Sequence, residues 1–334
     1  MSNRLLIVIP CLNEAAHLPG LLSLLCADPA ARDARIVVAD GGSTDASGDI
    51  VRRFAADDAR VLLLANPKRI QSAAVNLAVA RYGADAETLI RVDAHANYPA
   101  DFLTRLIAAS HETGADTVTI SMRATSEDGA CFQAAAAAAQ NSVLGAGGSP
   151  HRKGGARRWV DHGHHALFKL SAYRGAGGYD ESFTHNEDAE LDARIRERGG
   201  RILLAADILI DYFPRKTARA LARQYFGYGR GRARTAAKHR EPLKPRQLAP
   251  LAVTPAIGLC ALAPFSLWAI APAATWLALC LSFGALLGLR ERRVCAAFAG
   301  IPAAIMHATW SAGFLLEMLK PTRAPIAPAH TQNA

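Results

Sequence analysis

Leu5-Leu6-Ile7-Val8-Ile9-Pro10-Cys11-Leu12-Asn13-Glu14 is a short apolar run that stops abruptly in a polar turn. Five apolar residues behind Arg4 are too few for the core of a secretory signal, so none is expected. They suit a strand buried on both faces, with Asn13 and Glu14 at its carboxyl end. The pattern recurs at Arg35–Ala39, Val61–Ala65, Thr88–Val92 and Thr117–Met122. Helical patterns lie between these runs: Leu18, Leu21, Leu22 and Leu25 share one face, and Asp49–Ala55, Gln71–Ala80 and Asp101–His111 follow. Strands alternating with helices over such short connections predict an α/β sandwich with a mainly parallel sheet. Ligands of such sheets sit beyond the carboxyl ends of the strands.

Polar motifs fall at those ends. Asp40-Gly41-Gly42-Ser43-Thr44-Asp45 follows the second strand, and its glycines allow a tight turn that aims carboxylates into the crevice. Asp93-Ala94-His95 follows the fourth strand; side chains at i and i+2 leave an extended backbone on one side, and a carboxylate with an imidazole suits Mn²⁺ or Mg²⁺. His185-Asn186-Glu187-Asp188 enters a helix over 187–198 that Gly199-Gly200 ends, and it supplies carboxylates able to act as a general base. Each motif alone also reads as ordinary capping: Asn13 as a helix cap, Asp40–Asp45 as a capped turn, Glu187 and Asp188 as partners of a helix dipole.

Together, in this order, the four motifs resemble the family 2 inverting glycosyltransferases of the GT-A fold over roughly residues 5–240. The resemblance implies a GT-A domain, with Pro10, Asn13 and Glu14 at the nucleotide pocket and Asp40 on the base of a nucleotide-sugar, UDP by family habit. Gly42, Asp45 and Lys68 fall on the same donor side. Asp93 and His95 stand where the family has an Asp-x-Asp metal motif, implying Mn²⁺ or Mg²⁺ on the diphosphate. Asp188 is the implied base, with Glu187 beside it. Two departures stand out. Gly41 replaces a second Asp of the turn. His95 replaces the second Asp of the metal motif and shifts the expectation toward Mn²⁺.

Gln224-Tyr225-Phe226-Gly227-Tyr228-Gly229-Arg230-Gly231-Arg232 extends the resemblance to exopolysaccharide transferases of the succinoglycan-biosynthesis type. Gln224, Tyr228 and Arg230 thereby fall on the acceptor side, and the acceptor implied is a polyprenyl-linked glycan. An amphipathic interfacial helix would carry the same residues. The Arg-Trp pair of processive synthases is missing, which argues against a polymerase. Asp180 and Glu181, after Gly175–Tyr179, would line the acceptor side. In Asp161-His162-Gly163-His164-His165 a strand would point His162 and His164 the same way. Metal or diphosphate binding, acceptor binding by His162, His164 and His165, and plain packing all stay open.

The charge is +9, concentrated in residues 215–246. No residue from Leu248 to Leu289 is charged, and Val294–Leu316 is a further apolar run after Arg290, Arg292 and Arg293. One membrane helix needs about 20 residues. The expectation is a catalytic domain over 1–247, three membrane spans over 248–320 and a short tail over 321–334. The basic segments keep the domain on the cytoplasmic face of an inner membrane. The lipid surface accounts for the basic excess, and no nucleic-acid motif accompanies it. Six cysteines without close pairing read as thiols of a reducing compartment rather than a disulfide framework. Rival readings are a polyprenyl-phosphate glycosyltransferase, a catalytically silent nucleotide-sugar scaffold, and a soluble nucleotidyltransferase. The last conflicts with the apolar tail and with the lack of a glycine-rich phosphate loop at the first strand.

Overall fold

The computed structural model describes residues 4–127, 129–152 and 154–320. Lys153 of the basic glycine-rich loop and the tail 321–334 lie outside the described residues. The chain begins β1 (Leu5–Cys11), α1 (Leu18–Ala27), β2 (Arg35–Asp40), α2 (Ser47–Asp57), β3 (Val61–Ala65), α3 (Gln71–Tyr82), β4 (Thr88–Arg91), β5 (Ala96–Asn97), α4 (Phe102–Thr113) and β6 (Thr117–Ala124). It continues α5 (Cys131–Asn141), α6 (Val143–Ala146), β7 (Arg158–Trp159), β8 (His164–Lys169), α7 (Leu170–Gly175), α8 (Glu187–Glu197), β9 (Ile202–Tyr212) and α9 (Ala218–His239). It closes with α10 (Pro245–Leu251), α11 (Val253–Leu259), α12 (Ala271–Glu291), α13 (Val294–Ala297) and α14 (Gly300–Met318).

One sheet runs in the order β3-β2-β1-β4-β8-β6-β9-β5, with β7 beside β9. Alternate residues of β1 feed two cores, as a strand's two-residue period requires. Leu5, Ile7 and Ile9 pack with Leu18, Leu22, Ile50 and Phe102 on one face. Leu6 and Val8 pack with Ala74, Val75, Leu191 and Ile195 on the other. The sheet is parallel through β3-β2-β1-β4, as expected, and mixed beyond. There β8 enters antiparallel to both β4 and β6, which makes the whole a mixed sheet. One correction concerns the cysteines: Cys131 and Cys295 form a disulfide that joins α5 to α13 across 164 residues.

The C-terminal third departs most from expectation. One helical stretch, Leu267–Glu291, is long and apolar enough to cross a membrane; among the described residues no second one is. The multi-pass reading is therefore not supported. Prolines divide the segment before it into α10, α11 and short 3₁₀ turns, with Pro250 inside α10. The last apolar run becomes α14, which lies against α9 of the catalytic domain. Small residues allow that approach. A Cβ on Gly229 would stand 2.0 Å from the Trp310 carbonyl oxygen, and one on Gly313 would stand 2.2 Å from that of Phe226. Arg230 Nε also donates to Glu317 Oε2 at 2.7 Å across the same seam.

Gly229→Ala is expected to push the two helices apart and cost about 1–3 kcal/mol. Gly258→Ala, in open space, serves as the control. Thermal unfolding in detergent checks this, and equal melting of the two variants would mean that α9 and α14 do not pack this way.

Candidate active site

β4 ends at Arg91, the centre of the site. Its guanidinium is 3% exposed, yet it is not isolated. Nη1 donates to Asp188 Oδ1 at 2.6 Å and to Tyr179 Oη at 3.0 Å, and Tyr179 Oη donates to the same carboxylate oxygen at 2.8 Å. Nε lies 3.5 Å from Asp93 Oδ1. Asp93 leaves the end of the strand, and Asp188 sits in the first turn of α8. One buried cation thus holds the two carboxylates that the motifs singled out.

The turn before α8 is shaped for this. Asn186 takes a left-handed conformation (φ 66°), which Asn tolerates better than most residues. Its Nδ2 donates to Thr235 Oγ1 of α9 at 2.7 Å. Gly231 of α9 lets the turn settle close, since a Cβ there would lie 2.4 Å from the His185 carbonyl oxygen.

His164 Nε2 is 3.3 Å from Asp93 Oδ2, and its Nδ1 is 3.9 Å from Asp188 Oδ2. His165, the next residue of β8, faces the other way. It is 1% exposed, 2.7 Å from Asp192 and stacked on Phe168. The acceptor-side expectation for His165 is therefore corrected to a packing role, because successive strand residues point to opposite faces. His162 and His164 both line the cavity described below.

The electrostatics separate the two carboxylates of α8. Burial raises Asp188, but the charge of Arg91, then of His165 and His164, outweighs it and holds the group below the usual range. Burial, then repulsion by Asp188, pushes Glu187 up to about 7. Asp93 is likewise held low: burial opposes ionisation, and Arg91 and His164 overcome it.

Pro10, Glu14, Asp93, His95, Glu187 and Asp188 line one cavity of about 1430 Å³, together with Gln224 and Tyr228. Asn13, Asp40, Gly42 and Asp45 lie behind its rim and build the loop. Asp40 accepts from Ser43 N at 3.1 Å, Asn13 Oδ1 from Thr44 N at 2.8 Å, and Asp45 Oδ2 from Ala15 N at 3.0 Å. Lys68 pairs with Glu181, Asp180 with Lys238, and Arg230 with Glu317, all outside the cavity lining. Asp180 and Arg230 thus each tie two elements together. His95 Nδ1 lies 3.0 Å from Glu14 Oε1, and that bond raises the histidine's affinity for its proton despite burial.

Asp93 and His95 offer a carboxylate and an imidazole facing the cavity, a donor pair that fits Mn²⁺ or Mg²⁺. Among the described residues no three metal-capable side chains converge, so such a pair would leave the remaining positions to a ligand's oxygens or water.

The sequence profile described as "Glycosyl transferase family 2" matches residues 6–174. Succinoglycan biosynthesis protein ExoA of Rhizobium meliloti is 49% identical over 318 residues, which is 95% of this chain and 96% of that protein. The chain belongs to glycosyl transferase family 2. As a family 2 member it is a glycosyltransferase, and its mixed, helix-flanked sheet is a GT-A-like domain. The mannosyltransferase PcManGT from Pyrobaculum calidifontis, solved with GDP-Man and Mn²⁺, has a similar fold: TM-score 0.55 and 21% identity, covering 91% of this chain and 86% of that one. TarS of S. aureus, solved with UDP, is more distant, with a TM-score of 0.46, 13% identity and coverage of 94% and 91%.

Arg91, Tyr179 and Gln71, whose Nε2 donates to Asp93 Oδ1 at 2.9 Å, were not singled out by the motifs. The signal for Arg91 was present. A lone charge inside a strand expected to be buried on both faces requires a carboxylate partner.

The raised affinity of Glu187 for its proton has a stability consequence. The folded chain holds that proton more tightly than the unfolded chain, so stability falls as pH rises from the ordinary value of 4.5 toward about 7. Glu187→Gln removes the loss. In metal-free buffer its melting temperature should gain on the parent between about pH 5 and about pH 8. A pH-independent difference would contradict the assigned state of Glu187.

Proposed function

We propose that this family 2 transferase moves a hexose, with inversion, from a UDP-sugar to a lipid-linked glycan in exopolysaccharide synthesis. The observation that carries this reading is the pairing of Asp93 and Asp188 on Arg91 in one cavity that runs on to the apolar helices. The name of the 49% identical relative supports the exopolysaccharide setting.

Asp188 accepts the proton of the acceptor hydroxyl as that oxygen attacks the anomeric carbon. The bond from that carbon to the diphosphate oxygen breaks, and its electron pair leaves with the nucleoside diphosphate. Attack from the opposite face turns an α-linked donor into a β-linked product. Arg91 keeps Asp188 ionised and ready to accept. When bound at Asp93 and His95, Mn²⁺ or Mg²⁺ supplies positive charge against the diphosphate. Pro10 and Glu14 border the nucleotide end.

Membrane attachment through the Leu267–Glu291 helix fits its composition and its exposure, with Trp268 83% and Leu289 77% exposed. Arg290, Arg292 and Arg293 favour the cytoplasmic side of an inner membrane for that end. That side is reducing. The Cys131–Cys295 disulfide should therefore be open to reduction there, so that both cysteines alkylate in intact cells without added reductant; a pair that alkylates only after reduction would argue against this orientation.

Transfer from radiolabelled UDP- and GDP-sugars by membranes, with Mn²⁺, Mg²⁺ or EDTA, tests the reaction. Asp188→Asn should still bind donor and lose about 10²–10⁴-fold in transfer. Full transfer would remove Asp188 as the base. A mild loss, with label on a bare lipid phosphate, would favour the polyprenyl-phosphate reading.

A further inference from the structure

The cavity exceeds the roughly 300–1,000 Å³ that one small ligand occupies. Its carboxylates, Glu14, Asp93, Glu187 and Asp188, all lie at the catalytic end. The lining also carries Arg152, Arg232 and Arg246, whose charges act together on His151 and His162, and Trp276 and Phe283 of α12. Among the described residues no carboxylate besides those four lines the cavity.

These arginines are under-partnered. Arg232 is 5% exposed; its Nη1 reaches Glu241 Oε2 at 3.2 Å, but its buried Nε has no hydrogen-bond partner. Arg152 Nη1 is also buried without a partner, and its guanidinium lies 5.8 Å from the centre of the Tyr212 ring. Arg246 makes no ion pair among the described residues. Its proton affinity is lowered first by burial and then by repulsion from Arg232. His162 is lowered to about 4 by burial, then by Lys244, Arg232 and Arg246. A buried guanidinium N–H without a partner is costly, and an anion in the cavity would satisfy the two left open on Arg152 and Arg232.

We propose that Arg152, Arg232 and Arg246 form a second anion subsite that holds the phosphate or diphosphate ester linking the acceptor glycan to its lipid. Guanidinium forks suit phosphate oxygens. The neighbouring aromatic wall of α12 suits an isoprenoid chain, which a nucleotide does not carry. The donor diphosphate belongs instead with Asp93 and His95. The subsite rests on the lipid-linked acceptor of the proposed function and gives that acceptor a place and an orientation. With its linking phosphate held by these arginines, the sugar would extend toward Asp188.

The full chain in detergent can be titrated with farnesyl diphosphate in the presence of saturating UDP and Mn²⁺. Farnesol and inorganic pyrophosphate serve as tail-only and head-only controls. Farnesyl diphosphate should bind alongside UDP, more tightly than either control. Arg152→Gln and Arg246→Gln should each weaken it about tenfold and change UDP affinity far less. Arg152→Lys should recover part of the loss. Displacement of farnesyl diphosphate by UDP, equal loss of UDP binding in the variants, or no effect of the variants would overturn the subsite. Slow hydrolysis of the sugar donor without acceptor, followed in the same preparations, reports separately on the transferase reading. Its absence in the parent would undercut that reading, whereas its persistence beside a failed titration would reject only the subsite.

Discussion

The site depends on one buried positive charge. A guanidinium this enclosed is costly to desolvate, and removing the partner of such a charge typically costs about 3–5 kcal/mol. Arg91 therefore requires Asp188 nearby, and through it the start of α8 must reach the end of β4. Tyr179 fills the remaining hydrogen-bonding position and draws the segment before α8 into the same arrangement. The carboxylates at the start of α8 also lie at the positive end of its dipole. Catalytic geometry and stability are in this way parts of one electrostatic arrangement.

α9 carries that arrangement toward the apolar helices. On one side Gly231 accommodates the turn that presents Glu187 and Asp188; on another Gly229 accommodates α14. Arg232, the next residue along the helix, reaches the cavity. The basic composition that made this segment look like a surface helix is thus only partly about a surface. Arg230 bonds to Glu317, and Arg232 to Glu241.

Strand positions were legible because apolar runs of this length have few other uses, and β3 matches its expected bounds residue for residue. The motif residues Asp93 and Asp188 were legible from where they fell, at a strand end and a helix start. What escaped was whatever depends on distant pairing. The antiparallel entry of β8 leaves no local mark, because both of its neighbours are chosen far away in sequence. The Cys131–Cys295 bond spans 164 residues and has no spacing to betray it. Hydropathy counts apolar residues but not what they touch, so α14 read as a lipid-facing span although Met306, Ser311, Gly313 and Phe314 are buried within the protein. Arg91 escaped because a run that is apolar on average hides one charge.

β8 delivers adjacent imidazoles to opposite sides of the sheet, His164 to the carboxylates and His165 to the core. A one-residue slip of β8 against its neighbours would exchange these faces, placing His165 among the catalytic groups and His164 against Phe168. Surface connections absorb changes of length without moving the strand they precede. The parity of the site is therefore kept by the pairing of β8 with β4 and β6, two partners that would both have to let go before the wrong imidazole could face the carboxylates.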